Sequence, residues 1–347
     1  MERLSIQGNY FDCQLYGGRL YLWTFQGSLQ VFDYPAILDR WNDSIHNNGS
    51  CRCRDYESEA SLNCISENEL RRFLIYERNY LTDEFPAGTE FISGRLFEAN
   101  VKGLFCCKAP LFDDLKHLEK IWDAPLVSVK GAQRRGLVCS GGRDGVFWRS
   151  STDKDVPMVQ VSPLQSVNAL FCDPGIYAFS SLGEPFLIKK EDADYHGHLM
   201  FERDLFPHDS IPERGARLTW GWKSLFYLAK DHRLQVYEYV ADNTPLQLIG
   251  EIQFYLWKGD FISGGSYDKG TVVELDKAIC LFTGWNDDDE HCTIFGPVTR
   301  WRYYPRSQMY KSHVHIIFDD RMDIVALNDI VRMVNPHRHM LERRNIR

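Results

Sequence analysis

The chain of 347 residues is long enough for one large or two ordinary domains, and its 44% hydrophobic and 25% charged residues are typical of a protein that buries a core. A net charge of −8 argues against a protein that mainly coats nucleic acid, because such proteins are usually basic. No run approaches the roughly 18 apolar residues that cross a bilayer, and Met1–Ile6 does not resemble a secretion signal. We therefore expect the ten cysteines to be reduced thiols and the protein to be cytoplasmic or nuclear.

The first predicted element is a β-hairpin near the N-terminus. Leu20–Phe25 and Ser28–Asp33 are apolar strands that flank a Gln26-Gly27 turn. Leu29 and Val31 alternate with polar residues, which is the period of a half-buried strand. Aromatic residues make up 14% of the chain, and such bulky side chains also favour sheets.

An insertion over residues 42–90 carries the best helix signal of the sequence. Ser66 and Glu69 form a capping box, and Ile65 can pack onto Leu70. The pattern predicts one helix near residues 66–81, roughly Glu67–Leu81, with an apolar stripe. We expect this stripe to pack against the rest of the domain, although it could instead dock a partner.

Similar strand–turn–strand units recur along the rest of the chain. Their spacings after the first gap are 42, 38, 48, 45 and 44 residues, and the predicted turns lie at Gly103, Gly145, Gly183, Asp231, Asp276 and Asp320. A period of about 40 to 45 residues with hairpins is that of a four-stranded propeller blade. The sequence thus predicts an all-β fold, a single β-propeller of about seven four-stranded blades, with six or eight as alternatives.

The predicted propeller spans residues 1–335. Polar, proline-bearing or acidic stretches predict long loops at 191–215 and 283–311, and a basic C-terminal tail follows at 336–347. Because propellers usually close by pairing the two ends of the chain, we expect Leu4–Tyr16 and the hairpin His313–Leu327 to share one blade.

Two strand endings add a resemblance to a known family. Val31-Phe32-Asp33 and Ile121-Trp122-Asp123 are similar to the Trp-Asp ending of a WD40 repeat. The chain therefore resembles WD40-like propellers with degenerate repeats, and this resemblance implies the propeller architecture without a particular subfamily.

Several groups of residues are candidates for a metal or catalytic site. Cys51, Cys53, His46 and Cys64 could bind zinc, but the Cys-x-Cys spacing favours unrelated thiols. His313 and His315 share one face of a strand, where we expect two polar residues on the wetter side. The acidic run at 287–291 lacks the glycine of a calcium loop and predicts a solvated loop. We therefore predict no metal and no cofactor, and no catalytic residue is assigned.

The most suggestive stretch runs from Arg300 to Arg306. In a strand, Arg300 and Arg302 share one face while Trp301 and Tyr303 share the other. Such residues carry much of the energy at protein interfaces, but they could also stack single-stranded bases or simply pack between blades. The predicted partner-binding residues are Trp301, Arg302, Tyr303, Tyr304 and Arg306.

The leading functional hypothesis is a non-catalytic scaffold that binds a protein partner, within a larger assembly and without a membrane. One alternative is a propeller hydrolase with its site at the channel mouth. A second alternative is nucleic-acid binding through local basic patches. These patches comprise Lys130, Arg134, Arg135, Arg143 and Arg149, and in the tail Arg338, Arg343, Arg344 and Arg347.

Overall fold

The computed structural model of the protein describes most of the chain. The described residues are 2–48, 63–80, 82–108, 118–132, 135–150, 156–171, 175–179, 185–190, 201–204, 217–220, 224–228, 233–238, 247–253, 261–267, 270–282, 291–304, 307 and 309–327.

Strands dominate the described residues, so the predicted all-β class is confirmed. The first elements are β1 (Glu2–Gln7), β2 (Tyr10–Tyr16), β3 (Arg19–Thr24), β4 (Ser28–Asp33), α1 (Tyr34–Asn48), β5 (Cys64–Ile65), α2 (Glu67–Leu70), a 3-10 turn (Arg71–Phe73) and β6 (Leu74–Asn79). The next are β7 (Gly88–Ile92), β8 (Arg95–Asn100), β9 (Gly103–Lys108), β10 (Glu119–Trp122), β11 (Ser128–Ala132), β12 (Gly136–Ser140), β13 (Val146–Arg149), β14 (Val159–Ser162), β15 (Asn168–Phe171), β16 (Gly175–Phe179), β17 (Pro185–Lys190) and β18 (Phe201–Asp204). The last are β19 (Arg217–Trp220), β20 (Ser224–Leu228), β21 (Arg233–Glu238), β22 (Gln247–Gln253), β23 (Phe261–Tyr267), β24 (Gly270–Leu275), β25 (Ala278–Phe282), β26 (His291–Phe295), β27 (Val298–Tyr303), β28 (His313–Phe318) and β29 (Arg321–Ala326).

These strands form seven small sheets among the described residues. Six sheets have four strands: sheet A (β2-β3-β4-β6), sheet B (β7 to β10), sheet C (β11 to β14), sheet D (β15 to β18), sheet E (β19 to β22) and sheet F (β23 to β26). Sheet G has five strands in the order β27-β28-β29-β1-β5. Neighbouring strands pair antiparallel except for β1 and β5, which pair in parallel.

The repeating unit predicted from the sequence is present. In each sheet the predicted turn falls between the second and third strands, as between β12 and β13 or between β28 and β29. Gly183 and Asp231 lie outside the described residues, but the strands on either side of each do pair. The turn before β13 needs glycine because Gly145 has φ +89°, and a Cβ there would lie 2.0 Å from the Ser162 carbonyl oxygen.

The two Trp-Asp-like endings are not equivalent in the structure. Val31–Asp33 ends β4, the third strand of sheet A, whereas Ile121 and Trp122 end β10, the fourth strand of sheet B. The similarity of these two endings therefore does not mark the same position in two repeats.

The chain divides into two compact units. One comprises Met1–Asn79 and Trp257–Arg347, with sheets F, G and A, and the other comprises Tyr80–Leu256, with sheets B to E. The predicted propeller boundary at residue 335 stays a prediction.

Sheet G joins both ends of the chain, as predicted. β1 pairs with β29 from Glu2 opposite Ala326 to Gln7 opposite Arg321. The buried Asp323 carboxylate accepts from Ser5 Oγ at 2.7 Å and pairs with Arg3 at 2.8 Å. The predicted N-terminal segment was too long, because Tyr10–Tyr16 forms the first strand of sheet A instead.

Each central strand is buried on both faces. In β28, Ile317 packs into a core shared by sheets G and A, while Val314, Ile316 and Phe318 pack into a core shared by sheets F and G. In the other unit, Leu137 and Cys139 of β12 face sheet B, while Val138 faces sheet D. Sheets F, G and A are therefore stacked face to face in one unit, and sheets B, C and D in the other, so the central strands β28 and β12 carry apolar side chains on both faces.

Helix α1 was not predicted from the sequence. It begins directly after β4, where the Asp33 carboxylate accepts from the Ala36 backbone N–H at 3.2 Å, and Pro35 lies in the first turn. Its residues Ile37 and Trp41 are fully buried in the core between sheets G and A. The chain after β4 therefore begins as a helix that packs against the core.

The predicted helix over Glu67–Leu81 is wrong in length. Ser66 does cap the helix, accepting from the Glu69 backbone N–H, and Leu70 is buried beside Ile65 in the same core. However, α2 ends at Leu70, and the 3-10 turn leads into β6, which pairs with β4. Pairing with the open edge of β4 outweighs helix propensity here.

The predicted long loops also contain strands. β18 lies within 191–215, and both β26 and β27 lie within 283–311, so the loop prediction is wrong for these residues. The tail at 336–347 lies outside the described residues. In the part of the chain that the structure describes, no helix is long and apolar enough to cross a membrane.

The closing strand gives the first prediction. Ile6→Ala empties a fully buried site in β1, and we expect it to lower the free energy of unfolding by about 2–5 kcal/mol in urea titrations. Gln7→Ala changes the next, exposed residue of the same strand and should cost less than about 1 kcal/mol. Equal effects of the two substitutions would contradict the stabilising role of this strand.

Candidate functional site

The predicted interface residues lie on β27, an edge strand of sheet G. β27 pairs with β28 along one side, with a bulge between Val298 and Arg300. Every residue of β28 is buried, whereas Trp301 and its neighbours in β27 are only half-buried. The alternation predicted from the sequence is present, because Arg300 and Arg302 contact sheet A while Trp301 contacts sheet F.

The aromatic face of β27 packs on sheet F. The indole N–H of Trp301 donates to Glu274 Oε2 at 2.9 Å and lies 3.2 Å from Ser263 Oγ. The Trp301 and Tyr303 rings are stacked, with centroids 5.7 Å apart and planes inclined by 21°. A Cβ on Gly265 would lie 2.4 Å from the Trp301 ring, so the indole fits only because residue 265 is glycine. Burial raises the pKa of Glu274 above its usual range.

The arginine face of β27 surrounds one buried carboxylate. Asp12 of β2 is fully buried and accepts from Arg302 Nε at 3.0 Å and Nη2 at 2.8 Å, and from Arg300 Nη1 at 2.8 Å. The guanidinium of Arg300 also lies 5.5 Å from the centroid of the Phe11 ring. Burial lowers the pKa of Arg302, but the adjacent Asp12 carboxylate outweighs this and raises it. This cluster joins sheets G and A.

A chain of buried polar side chains continues beyond Tyr304. Its hydroxyl lies 3.2 Å from His315 Nδ1 and 3.7 Å from Cys13 Sγ. The Tyr34 hydroxyl lies 2.9 Å from His315 Nε2 and 2.7 Å from His313 Nδ1. Burial lowers the pKa of His313 to about 4 and that of His315 well below its usual range, and it raises the pKa of Cys13 to about 12.

This arrangement corrects the expectation for the two histidines. His313 and His315 do share one face of β28, but that face is buried: their exposed fractions are 1% and 0%. The Tyr34 side chain from α1 covers both rings. Their position is therefore in the interior and not on a wet surface.

Other sequence candidates are dispersed or lie outside the described residues. Arg306, the tail arginines, Cys51 and Cys53 lie outside the described residues. Arg149 is buried, and its Nε donates to the Val156 carbonyl at 2.8 Å, so it is not part of an exposed basic patch. Within the described residues, no group of three or more His, Cys, Asp or Glu side chains could hold a metal ion.

Sequence reasoning missed Asp12 and Tyr34, the two residues that organise this region. Asp12 stands between Phe11 and Cys13 in a largely apolar strand, and an acid in such a position is a signal that it has a buried partner. Tyr34 directly follows the Asp33 cap and precedes Pro35, but nothing in the sequence links it to His313 and His315, which are 279 and 281 residues away.

Comparisons with known proteins support the architecture. No protein-family model matches the chain, and no curated protein matches it. Among the solved structures that match is the crystal structure of the Myceliophteria thermophila Cps50 (Swd1) β-propeller domain. The alignment covers 94% of this chain and 100% of that one, with a TM-score of 0.59 and 8% sequence identity. This likeness shows the fold, so the predicted β-propeller architecture is confirmed.

The buried carboxylate gives the second prediction. Asp12→Asn leaves two guanidiniums beside a neutral amide, and we expect the free energy of unfolding to fall by about 3–5 kcal/mol. Asp320→Asn is the matched control, because its ion pair with Arg321 is exposed and should contribute less than about 1 kcal/mol. A loss at Asp12 no larger than that at Asp320 would refute a structural role for the cluster.

Proposed function

We propose that the protein is a non-catalytic β-propeller scaffold that binds a protein partner as a subunit of a larger assembly. The observation that supports this proposal is the partial exposure of β27. Trp301, Tyr303 and Tyr304 are half-buried at the edge of a sheet whose next strand is buried at every position, and the side chain of Arg302 between them is 11% exposed. Tryptophan, tyrosine and arginine are the residue types that most often dominate binding energy.

The partner surface that we propose comprises Trp301, Arg302, Tyr303 and Tyr304, together with Arg306 on the basis of the sequence. Two of these side chains are already held in place: Glu274 fixes the indole of Trp301, and Asp12 fixes the guanidinium of Arg302. A partner that contacts them would not have to immobilise flexible side chains. Such preorganisation lowers the entropic cost of binding.

We also propose that this assembly forms in the cytosol or nucleus. The seven cysteines among the described residues are free thiols, and six of them are buried. Buried free thiols are common in a reducing compartment, because cysteine can fill a small apolar site there without forming unwanted disulfides.

Site-specific crosslinking tests the proposed surface. A photo-crosslinking phenylalanine derivative is placed at Tyr303 and, in a second variant, at Phe85, an exposed aromatic residue of the other unit. After irradiation in the source cell, we expect the Tyr303 variant to form one discrete covalent complex that mass spectrometry identifies. The Phe85 variant should not form the same complex.

Two crosslinking results would contradict the proposed surface. If both variants crosslink to the same set of abundant proteins, or if the Tyr303 variant remains uncrosslinked while its melting temperature is unchanged, β27 is not the partner surface. Native mass spectrometry of the unmodified chain provides the second measurement. A monomer without bound protein after gentle purification contradicts the proposed assembly.

A further inference from the structure

The Tyr34 hydroxyl lies between two imidazole rings in the interior of the unit that contains sheets F, G and A. It is 2.7 Å from His313 Nδ1 and 2.9 Å from His315 Nε2. A hydroxyl has one proton, so Tyr34 can donate to one of these nitrogens and must accept from an N–H on the other. This pattern is complete when both histidines are neutral, with one ring as acceptor and the other as donor.

Protonation of both histidines disrupts this pattern. Both nitrogens that face Tyr34 would then carry hydrogens, and the tyrosine proton would have no acceptor between them. His313 Nε2 is buried and has no hydrogen-bond partner among the described residues. A proton bound at that atom would therefore be a buried donor without an acceptor, which is costly.

Within the described residues, the groups that contact the two rings are uncharged. Tyr34 from α1, Tyr310 ahead of β28, Tyr304 after β27 and Cys13 from β2 face them. These groups are neutral at physiological pH, because burial raises the pKa of each tyrosine and of the cysteine.

Carboxylates lie near this cluster, but in the described part of the chain none contacts either imidazole ring. Asp33 and Asp39 are close enough to raise the pKa of Tyr310, and Asp33 pairs with Arg19 at 3.3 Å. The Asp12 carboxylate, adjacent to Cys13, binds the guanidiniums of Arg300 and Arg302. Two positive imidazolium rings would therefore repel each other without a carboxylate between them.

Helix α1 is the element that this cluster holds in place. Its first residue is Tyr34, whose backbone N–H also donates to the Gly18 carbonyl at 3.2 Å. The rest of the helix is held by burial of Ile37, Leu38 and Trp41, and by contacts of Arg40 and Ser44 with the segment at 63–69. It is not paired with any strand. α1 can therefore separate from sheet G without breaking the pairing within a sheet.

We propose that Tyr34, His313 and His315 form a pH-sensitive contact that releases helix α1 from sheet G when both histidines become protonated. Release exposes the apolar side of α1 and its counterpart on sheets G and A. The sign follows from burial: the histidines are neutral in the closed state and regain their ordinary basicity in the open state, so acid favours opening. The neutral closed state is favoured above about pH 6.5.

Hydrogen exchange of the full chain tests this proposal. Exchange of peptides covering α1 is compared with that of the β12–β13 hairpin in the other unit between pH 7.5 and 5, after correction for the intrinsic pH dependence. We expect the opening constant of α1 to rise by up to about 100-fold per pH unit below pH 6, because two protons are taken up. The hairpin should show no such rise.

Two variants distinguish a specific contact from general acid sensitivity. His313→Asn and His315→Gln place amides near the nitrogens that face Tyr34 but cannot be protonated in this range. In the double variant, we expect the rise of the α1 opening constant per pH unit to be at least tenfold smaller than in the unmodified chain. Tyr34→Phe should increase opening at pH 7.5, because both histidines lose a partner.

Three results would overturn the proposal. They are a constant opening of α1 between pH 7.5 and 5, a parallel rise in the hairpin, or an unchanged pH dependence in the double variant. If the double variant does not fold, the slope in the unmodified chain between pH 6 and 5 decides: a rise of tenfold or less over that unit excludes uptake of two protons. None of these measurements depends on a partner.

Discussion

The fold depends on one constraint: a small sheet such as sheet G must be covered on both faces. A strand such as β28 places alternate side chains in two different cores, one shared with sheet A and one with sheet F. A sheet of four strands cannot bury both faces alone, so each sheet is stable only between neighbours. This is why apolar side chains occupy both faces of middle strands such as β12 and β28.

The same constraint explains the few buried polar clusters. A polar side chain on a buried strand cannot reach water, so a partner on a neighbouring sheet or helix stabilises it. Asp12 on β2 binds two arginines of β27, and His313 and His315 on β28 meet Tyr34 of α1. Each cluster joins elements that are distant in sequence. The bonds of Asp12 to Arg300 and Arg302 also fix the position of β27 at the edge of sheet G.

The repeat unit could be predicted because its signals are local. The turns at Gly145 and Asp320 follow from residues that stand next to each other, and the capping box at Ser66 is equally local. The length of the helix after Ser66 was wrong because β6 forms by pairing with β4, which ends 41 residues before it begins. Sequence patterns reflect backbone preference, whereas this pairing depends on an edge that exists only in the folded chain.

For the candidate site, the sequence predicts which side chains share a face of β27, but it does not predict what each face contacts. Its alternation on β27 follows from strand geometry, so the separation of the arginine face from the aromatic face was foreseen. What each face contacts was not, because Arg302 and Asp12 are 290 residues apart. Trp301 likewise fits beside sheet F only because residue 265 has no side chain.

Sheet G has a consequence for biosynthesis. A ribosome makes β1 first and β29 more than 300 residues later, since the Ser5–Asp323 bond spans 318 positions. At about 5–20 residues per second, the first strand waits roughly 15 to 65 seconds for its partner. During that interval its apolar residues Leu4 and Ile6 lack their final cover, so nascent chains are expected to engage chaperones until β29 has been made.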